Sequence, residues 1–123
     1  MTPNHLHLRV ADVARARAFY QRWFGLQARC WRGPILLMRS EAGFELALEP
    51  APKVEAMPPG LHFGFRVDDP EQVRILHRDL IGVGYPVLQL HDAPDLVYFR
   101  VRDPDRYPIE VYWESDGEDT VSP

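Results

Sequence analysis

From Asn4 to Val10 the chain reads NHLHLRV, polar and apolar residues alternating with a period of two. That period predicts a strand with Leu6, Leu8 and Val10 turned toward a core and His5, His7 and Arg9 on the opposite face, where Thr, Lys or Glu would be the ordinary occupants. Beyond Asp12 the period lengthens: Ala16, Phe19, Tyr20, Trp23 and Phe24 form one apolar stripe at helical spacing. Asp12 suits the N-cap of that helix, and Gly25 stands where a left-handed C-cap belongs. Three strands are predicted next, over residues 27–31, 35–39 and 44–48, separated by Gly33-Pro34 and by Ser40-Glu41-Ala42-Gly43.

The whole pattern then returns. HLHLRVAD, residues 5–12, aligns with HFGFRVDD, residues 62–69, which matches His5 with His62, Arg9 with Arg66 and Asp12 with Asp69. The register persists without a gap, Ala16 meeting Val73, Phe19 meeting Leu76, Trp23 meeting Leu80 and Gly25 meeting Gly82. Asp69 followed by Pro70 predicts the second helix start, and Gly82 its left-handed end. Strands are predicted over 86–90, 96–101 and 109–113. The fold class is therefore α+β, two βαβββ modules forming a curved mixed sheet. Residues 1–114 make one domain: module one over 1–49, a proline-rich connector over 50–60 and module two over 61–114. Residues 115–123 form an acidic tail expected to be disordered.

Composition narrows the function. With 123 residues, 46% of them hydrophobic, the chain supports one domain core and has no apolar run long enough to cross a membrane. A formal charge of -4 without a basic stripe speaks against nucleic-acid binding. The chain opens directly on a strand pattern with no signal-peptide character, so a cytoplasmic location is expected. Cys30 is the single cysteine, which excludes an internal disulfide and a cysteine-built metal site.

The repeat also gathers chemistry. If the first strands of the two modules lie side by side, His5 and His62 become partners on the face turned away from the helices. FELAL, residues 44–48, superposes on IEVYW, residues 109–113, and so matches Glu45 with Glu110. Two imidazoles and two carboxylates converging on one surface make a nitrogen and oxygen ligand set suited to a divalent first-row ion: zinc, nickel, cobalt, manganese or iron(II).

The segments NHLHLRVADVARARAFYQRWFGL, LHFGFRV and YFRVRDPDRYPIEVYW resemble the vicinal oxygen chelate superfamily, which includes glyoxalase I, fosfomycin-resistance enzymes, extradiol dioxygenases, methylmalonyl-CoA epimerase and bleomycin-binding proteins. The resemblance covers about residues 4–114. It implies metal ligands at His5, His62 and Glu110, with Glu45 at the position of the fourth ligand that glyoxalase I and its epimerase relatives use. It departs at one point: the family commonly has Gly after Asp-Pro-Asp, whereas Arg106, Tyr107 and Pro108 follow here, with the spacing to Glu110 kept. It also implies a homodimer, whose modules lie side by side in one chain or are exchanged, so that His5 and Glu45 come from one subunit and His62 and Glu110 from the other.

Four protein ligands around an octahedral ion leave two positions for water or a small-molecule substrate. That favours glyoxalase I-like lyase or isomerase chemistry through a metal-stabilised enediolate, with Glu45 or Glu110 moving the proton. An iron(II) ring-cleavage dioxygenase is the alternative reaction, and a metal-free drug-sequestering protein the alternative class. Arg9 and Arg66 share strand faces with the histidines and are candidate holders of an anionic substrate group, with His7, Tyr98 and Tyr112 as further pocket residues. Glu49 stands where glutathione-using relatives often carry Asn, so glutathione is not supported.

Overall fold

The computed structural model describes residues 1–117; residues 118–123, which hold most of the predicted acidic tail, lie outside the described residues. Strands β1 (His5–Val10), β2 (Gln27–Arg32), β3 (Ile35–Arg39) and β4 (Glu45–Pro50) surround helix α1 (Val13–Phe24) in sequence. The pattern recurs with β5 (Phe63–Arg66), α2 (Pro70–Gly82), β6 (His91–Asp92), β7 (Leu96–Arg102) and β8 (Pro108–Glu114). The result is an α+β fold of two mixed four-stranded sheets, ordered β1-β4-β3-β2 and β5-β8-β7-β6. In each sheet the first strand is parallel to the last and forms one edge, and the other pairings are antiparallel.

The chain divides into two compact units. One is Met1–Leu61 with Asp103–Tyr107; the other is His62–Arg102 with the chain from Pro108 onward. In the first, α1 packs on β4 and β2, burying Ala16, Phe19 and Tyr20 against a core that includes Leu8, Val10, Met38, Leu46 and Leu48. In the second, α2 packs on β7 and β8, burying Val73 and Leu80 with Val97, Phe99, Val101, Ile109 and Val111. Each such fully buried aliphatic or aromatic side chain contributes roughly 1.5 to 3 kcal/mol of transfer free energy. Strand alternation then fixes the opposite faces, on which the predicted site residues of the strands lie; His62 stands just before β5.

Helix ends follow from local chemistry. Asp12 accepts the Arg15 amide at 3.1 Å and Asp69 the Glu71 amide at 2.8 Å. Gly25 takes the expected left-handed conformation at φ 67°. In module two the expectation is displaced: Gly82 is the last helical residue, Val83 caps the helix, and the left-handed glycine is Gly84 at φ 88°. The second helix is 13 residues long against 12, so it overruns the repeat register.

The strand expected over 86–90 is also displaced. That stretch touches β7 through a single bridge, Val87 to Val101, flanked by amide bonds from Leu88 to the Arg100 carbonyl and from Arg102 to the Pro86 carbonyl. Regular pairing falls instead on His91–Asp92, where the sequence predicted a loop. Pro86 lacks an amide proton to donate, whereas Asp92 is gripped by both Nε and a terminal nitrogen of Arg74 on α2 at 2.9 Å each. The guanidinium hydrogen bonds hold the Asp92 carboxyl below its ordinary pKa.

The Asp103–Tyr107 segment joins β7 to β8 yet belongs to the first unit. Asp103 is buried, and its carboxylate accepts the Tyr20 hydroxyl at 2.6 Å and the amides of Asp105 and Tyr107 at 2.8 and 2.9 Å. Asp105 accepts the Ala11 amide at 3.0 Å and Arg15 at 3.3 Å, and the Tyr107 hydroxyl donates to the Arg9 carbonyl at 2.6 Å. Arg106 adopts φ 70°. An arginine, at the position after Asp-Pro-Asp, thus takes a left-handed conformation that glycine adopts more readily, and the spacing to Glu110 is kept.

Candidate functional site

In module two, β8 presents Glu110 and Tyr112 on the face away from α2, β7 presents Tyr98 and Arg100 beside them, and β5 supplies Gly64 and Arg66, with His62 just before it. His62 Nε2 lies 3.7 Å from Glu110 Oε2, and Arg100 Nε lies 3.6 Å from the other carboxylate oxygen. The Arg100 Nε is buried and makes no hydrogen bond. Gly64, the strand partner of Glu110, supplies the close approach: a Cβ there would stand 3.1 Å from the Glu110 carbonyl oxygen.

Module one repeats the residue types in a shifted frame. Glu45 is the direct strand partner of His5, whereas Glu110 is paired two residues beyond His62. The β7–β8 hairpin is therefore offset by two residues against its first strand relative to β3–β4, and the match of Glu45 with Glu110 holds for the face but not for the register. The Glu45 carboxylate accepts a hydrogen bond from Arg29 at 3.0 Å and faces Arg39 at 4.0 Å. His5 pairs its Nδ1 with the Asn4 side-chain oxygen at 3.0 Å. A proton donated there leaves Nε2 with its lone pair, the form a metal ligand needs.

The other predicted residues fall as follows. His7 Nε2 is 2.8 Å from Glu49 Oε1, with Arg9 3.9 Å from the second oxygen of the same carboxylate. Arg66 pairs with Glu114 at 2.9 Å. Tyr98 stacks on His91 at a ring separation of 5.0 Å, and Tyr112 is its strand partner on β8. Arg9 and Arg66 thus each have a carboxylate partner. Within each unit the candidate ligands stand as a pair, His5 with Glu45 and His62 with Glu110, and among the described residues no group of three or more His, Cys, Asp or Glu is placed to hold a metal ion. A groove of about 540 Å³ on α1, lined by Ala14, Arg17, Ala18, Gln21, Arg22 and Gln27, contains none of them. Sequence reasoning missed Arg29, Arg39 and Arg100. The signal for Arg39 and Arg100 was present in the hairpin registers, which place them opposite Glu45 and Glu110 but depend on turn lengths, whereas Arg29 stands at the irregularity between Ala28 and Cys30 that no register marks.

The paired βαβββ architecture defines a class of fold, and solved structures share it. A possible glyoxalase from Bacillus cereus is 36% identical, with 90% of this chain and 97% of that one covered and a TM-score of 0.79. Lactoylglutathione lyase from Agrobacterium tumefaciens is 24% identical, covering 91% and 92%, with a TM-score of 0.71. The fosfomycin resistance protein FosX from Listeria monocytogenes is 15% identical, covering 94% of each chain, with a TM-score of 0.80. The last two show the fold alone. Residues 2–111 match the family model of the Glyoxalase/Bleomycin resistance protein/Dioxygenase superfamily, and the chain belongs to that superfamily. No helix among the described residues is long and apolar enough to cross a membrane.

Proposed function

We propose that the chain is a divalent-metal-dependent lyase or isomerase that moves a proton on a small oxygenated substrate through an enediolate, with His5, Glu45, His62 and Glu110 as the metal ligands. The observation that carries this reading is the His62–Glu110 pair. Its 3.7 Å separation of a ring nitrogen and a carboxylate oxygen is close to the roughly 3 to 3.5 Å between neighbouring donors with bonds of about 2.1 Å to one ion. His5, with Nε2 left as acceptor, and Glu45, its direct strand partner, supply the second pair from module one. The donor set, two imidazoles and two carboxylates, fits zinc, nickel, cobalt, manganese or iron(II).

When bound, the ion supplies Lewis-acid stabilisation of negative charge developing on substrate oxygen. The chain supplies the proton path. Glu45 is tied by its hydrogen bond to Arg29, whereas the Glu110 oxygens face Arg100 and His62 at 3.6 and 3.7 Å, so Glu110 is the proposed carrier that removes a proton beside the substrate carbonyl and returns it. Tyr98 and Tyr112 stand on the same sheet face as hydrogen-bond donors. As β1 and β5 are sheet edges, the proposal includes a homodimer that covers them. Light scattering should return twice the chain mass.

The test is calorimetric titration of chelator-treated protein with each of the five ions, followed by NMR detection of solvent deuterium entering 2-hydroxy-carbonyl compounds. One bound ion per chain is expected, with His62→Ala and Glu110→Ala each weakening affinity by about tenfold or more, the scale at which disturbing a metal site is felt. A chain that binds none of the ions would overturn the reading in favour of metal-free sequestration. Iron(II)-dependent oxygen consumption with catechols would replace it with ring cleavage.

A further inference from the structure

The strand registers place an arginine directly across from each proposed glutamate ligand: Arg39 opposite Glu45 on β3 and β4, and Arg100 opposite Glu110 on β7 and β8. Two hairpins that differ in their alignment to the first strand of their sheet keep this pairing. In module two the Glu110 carboxylate lies between His62 at 3.7 Å and Arg100 at 3.6 Å. At 3.6 Å Arg100 contributes charge without a directed hydrogen bond, and its buried Nε proton has no acceptor. In module one Glu45 meets Arg29 at 3.0 Å and Arg39 at 4.0 Å. Glu45 and Glu110 are only 28% and 23% exposed, so solvent screens these charges incompletely.

A guanidinium already balances each carboxylate, and a divalent ion taking the same oxygens adds two positive charges that nothing in the pair offsets. An anionic group on the substrate offsets them, and the arginine fork matches carboxylate or phosphoryl oxygens. Resting on the proposed cation site, we propose that Arg39 and Arg100 make cation binding depend on an anionic substrate. Each guanidinium is a counter-charge of its glutamate, shared at Glu45 with Arg29, opposes a divalent cation there, and receives the carboxylate or phosphoryl oxygens of a substrate that binds with the cation. The substrate is then an oxygenated carboxylate or phosphoryl compound, and Arg39 and Arg100 are specificity residues.

The test uses the full chain and Mn(II), followed by electron paramagnetic resonance, alone and with lactate, inorganic phosphate or the neutral analogue lactamide. Lactate or phosphate should tighten Mn(II) binding to the wild type by about five- to a hundredfold, the usual range of coupling between sites, and lactamide should not. Which anion acts separates the carboxylate from the phosphoryl substrate. Arg100→Gln should bind Mn(II) alone about fivefold more tightly, as loss of one half-exposed counter-charge allows, and lose the anion effect. Arg39→Gln should shift the same way, and Arg100→Lys, which keeps the charge without the fork, should bind Mn(II) alone as the wild type does and show a weaker anion effect. Glutamine variants that bind Mn(II) no more tightly than wild type, or lactamide acting as well as lactate, would overturn the inference while leaving the cation site standing. A wild-type chain without Mn(II) affinity would remove both.

Discussion

Asp103 is the residue on which most local structure depends, because three donors, the Tyr20 hydroxyl and the amides of Asp105 and Tyr107, end on its one buried carboxylate. Asp103→Ala leaves all three without an acceptor and should cost about 2 to 4 kcal/mol in urea denaturation. Asp103→Asn keeps the Oδ1 acceptor that serves the two amides, and should cost about half as much. Burial raises the Asp103 pKa despite these bonds, so its folded form holds a proton more tightly than the unfolded chain does. Stability from this group is full below the unfolded value near 3.8 and is lost as pH rises through the raised folded value. Burial, reinforced by the Asp103 charge, also pushes the Tyr20 hydroxyl well above its ordinary value of 10.0. Its share of stability persists up to pH 10 and falls as pH climbs above it, because the unfolded chain ionises first. Melting temperatures should therefore drop more steeply above pH 10 in the wild type than in Tyr20→Phe.

At the scale of the element, β5 and β8 approach so closely at Gly64 that an added methyl meets the Glu110 carbonyl oxygen at 3.1 Å, a backbone atom that cannot turn aside. Gly64→Ala should cost about 1 to 3 kcal/mol in thermal or urea unfolding and weaken divalent-ion affinity by shifting the strand that carries Glu110. Alternation at His5–Val10 and the stripe from Ala16 to Phe24 were legible as strand and helix because a half-buried element writes its period into the sequence. Both N-caps were legible for the same local reason. What could not be read is whatever depends on pairing. The two-residue offset of the β7–β8 hairpin, the shift of an edge strand from 86–90 to His91–Asp92 under the grip of Arg74, and the arginines facing Glu45 and Glu110 all follow from registers that no single segment specifies.

At the scale of the whole molecule, the sequence repeat marks two modules within one expected domain, and the compact units of the fold divide at a different place, because one segment of the second module belongs to the first unit. Asp103–Tyr107 lies 42 residues beyond Leu61, the end of the first unit's main stretch, yet it is part of that unit. Its Asp103 receives the Tyr20 hydroxyl from the buried face of α1, its Asp105 receives the Ala11 amide and Arg15 at the helix start, and its Tyr107 hydroxyl reaches the Arg9 carbonyl on β1. A fragment ending at Leu61 keeps every strand of the first sheet and all of α1, but leaves the hydroxyl of the fully buried Tyr20 without its acceptor and the Ala11 amide and Arg9 carbonyl without their partners. The unpaired Tyr20 hydroxyl alone costs about 1 to 3 kcal/mol, a large share of the stability of a small domain, while the exposed Ala11 and Arg9 groups turn to water. The fragment 1–61 should therefore show no cooperative thermal transition by circular dichroism, while the full chain melts cooperatively. Adding a synthetic peptide that spans residues 101–109 should restore measurable protection of the α1 amides from hydrogen exchange, and the same peptide with Asp103 replaced by Ala should not. A fragment that melts as sharply as the full chain would mean that the first module carries its own fold and that the returning segment only decorates it.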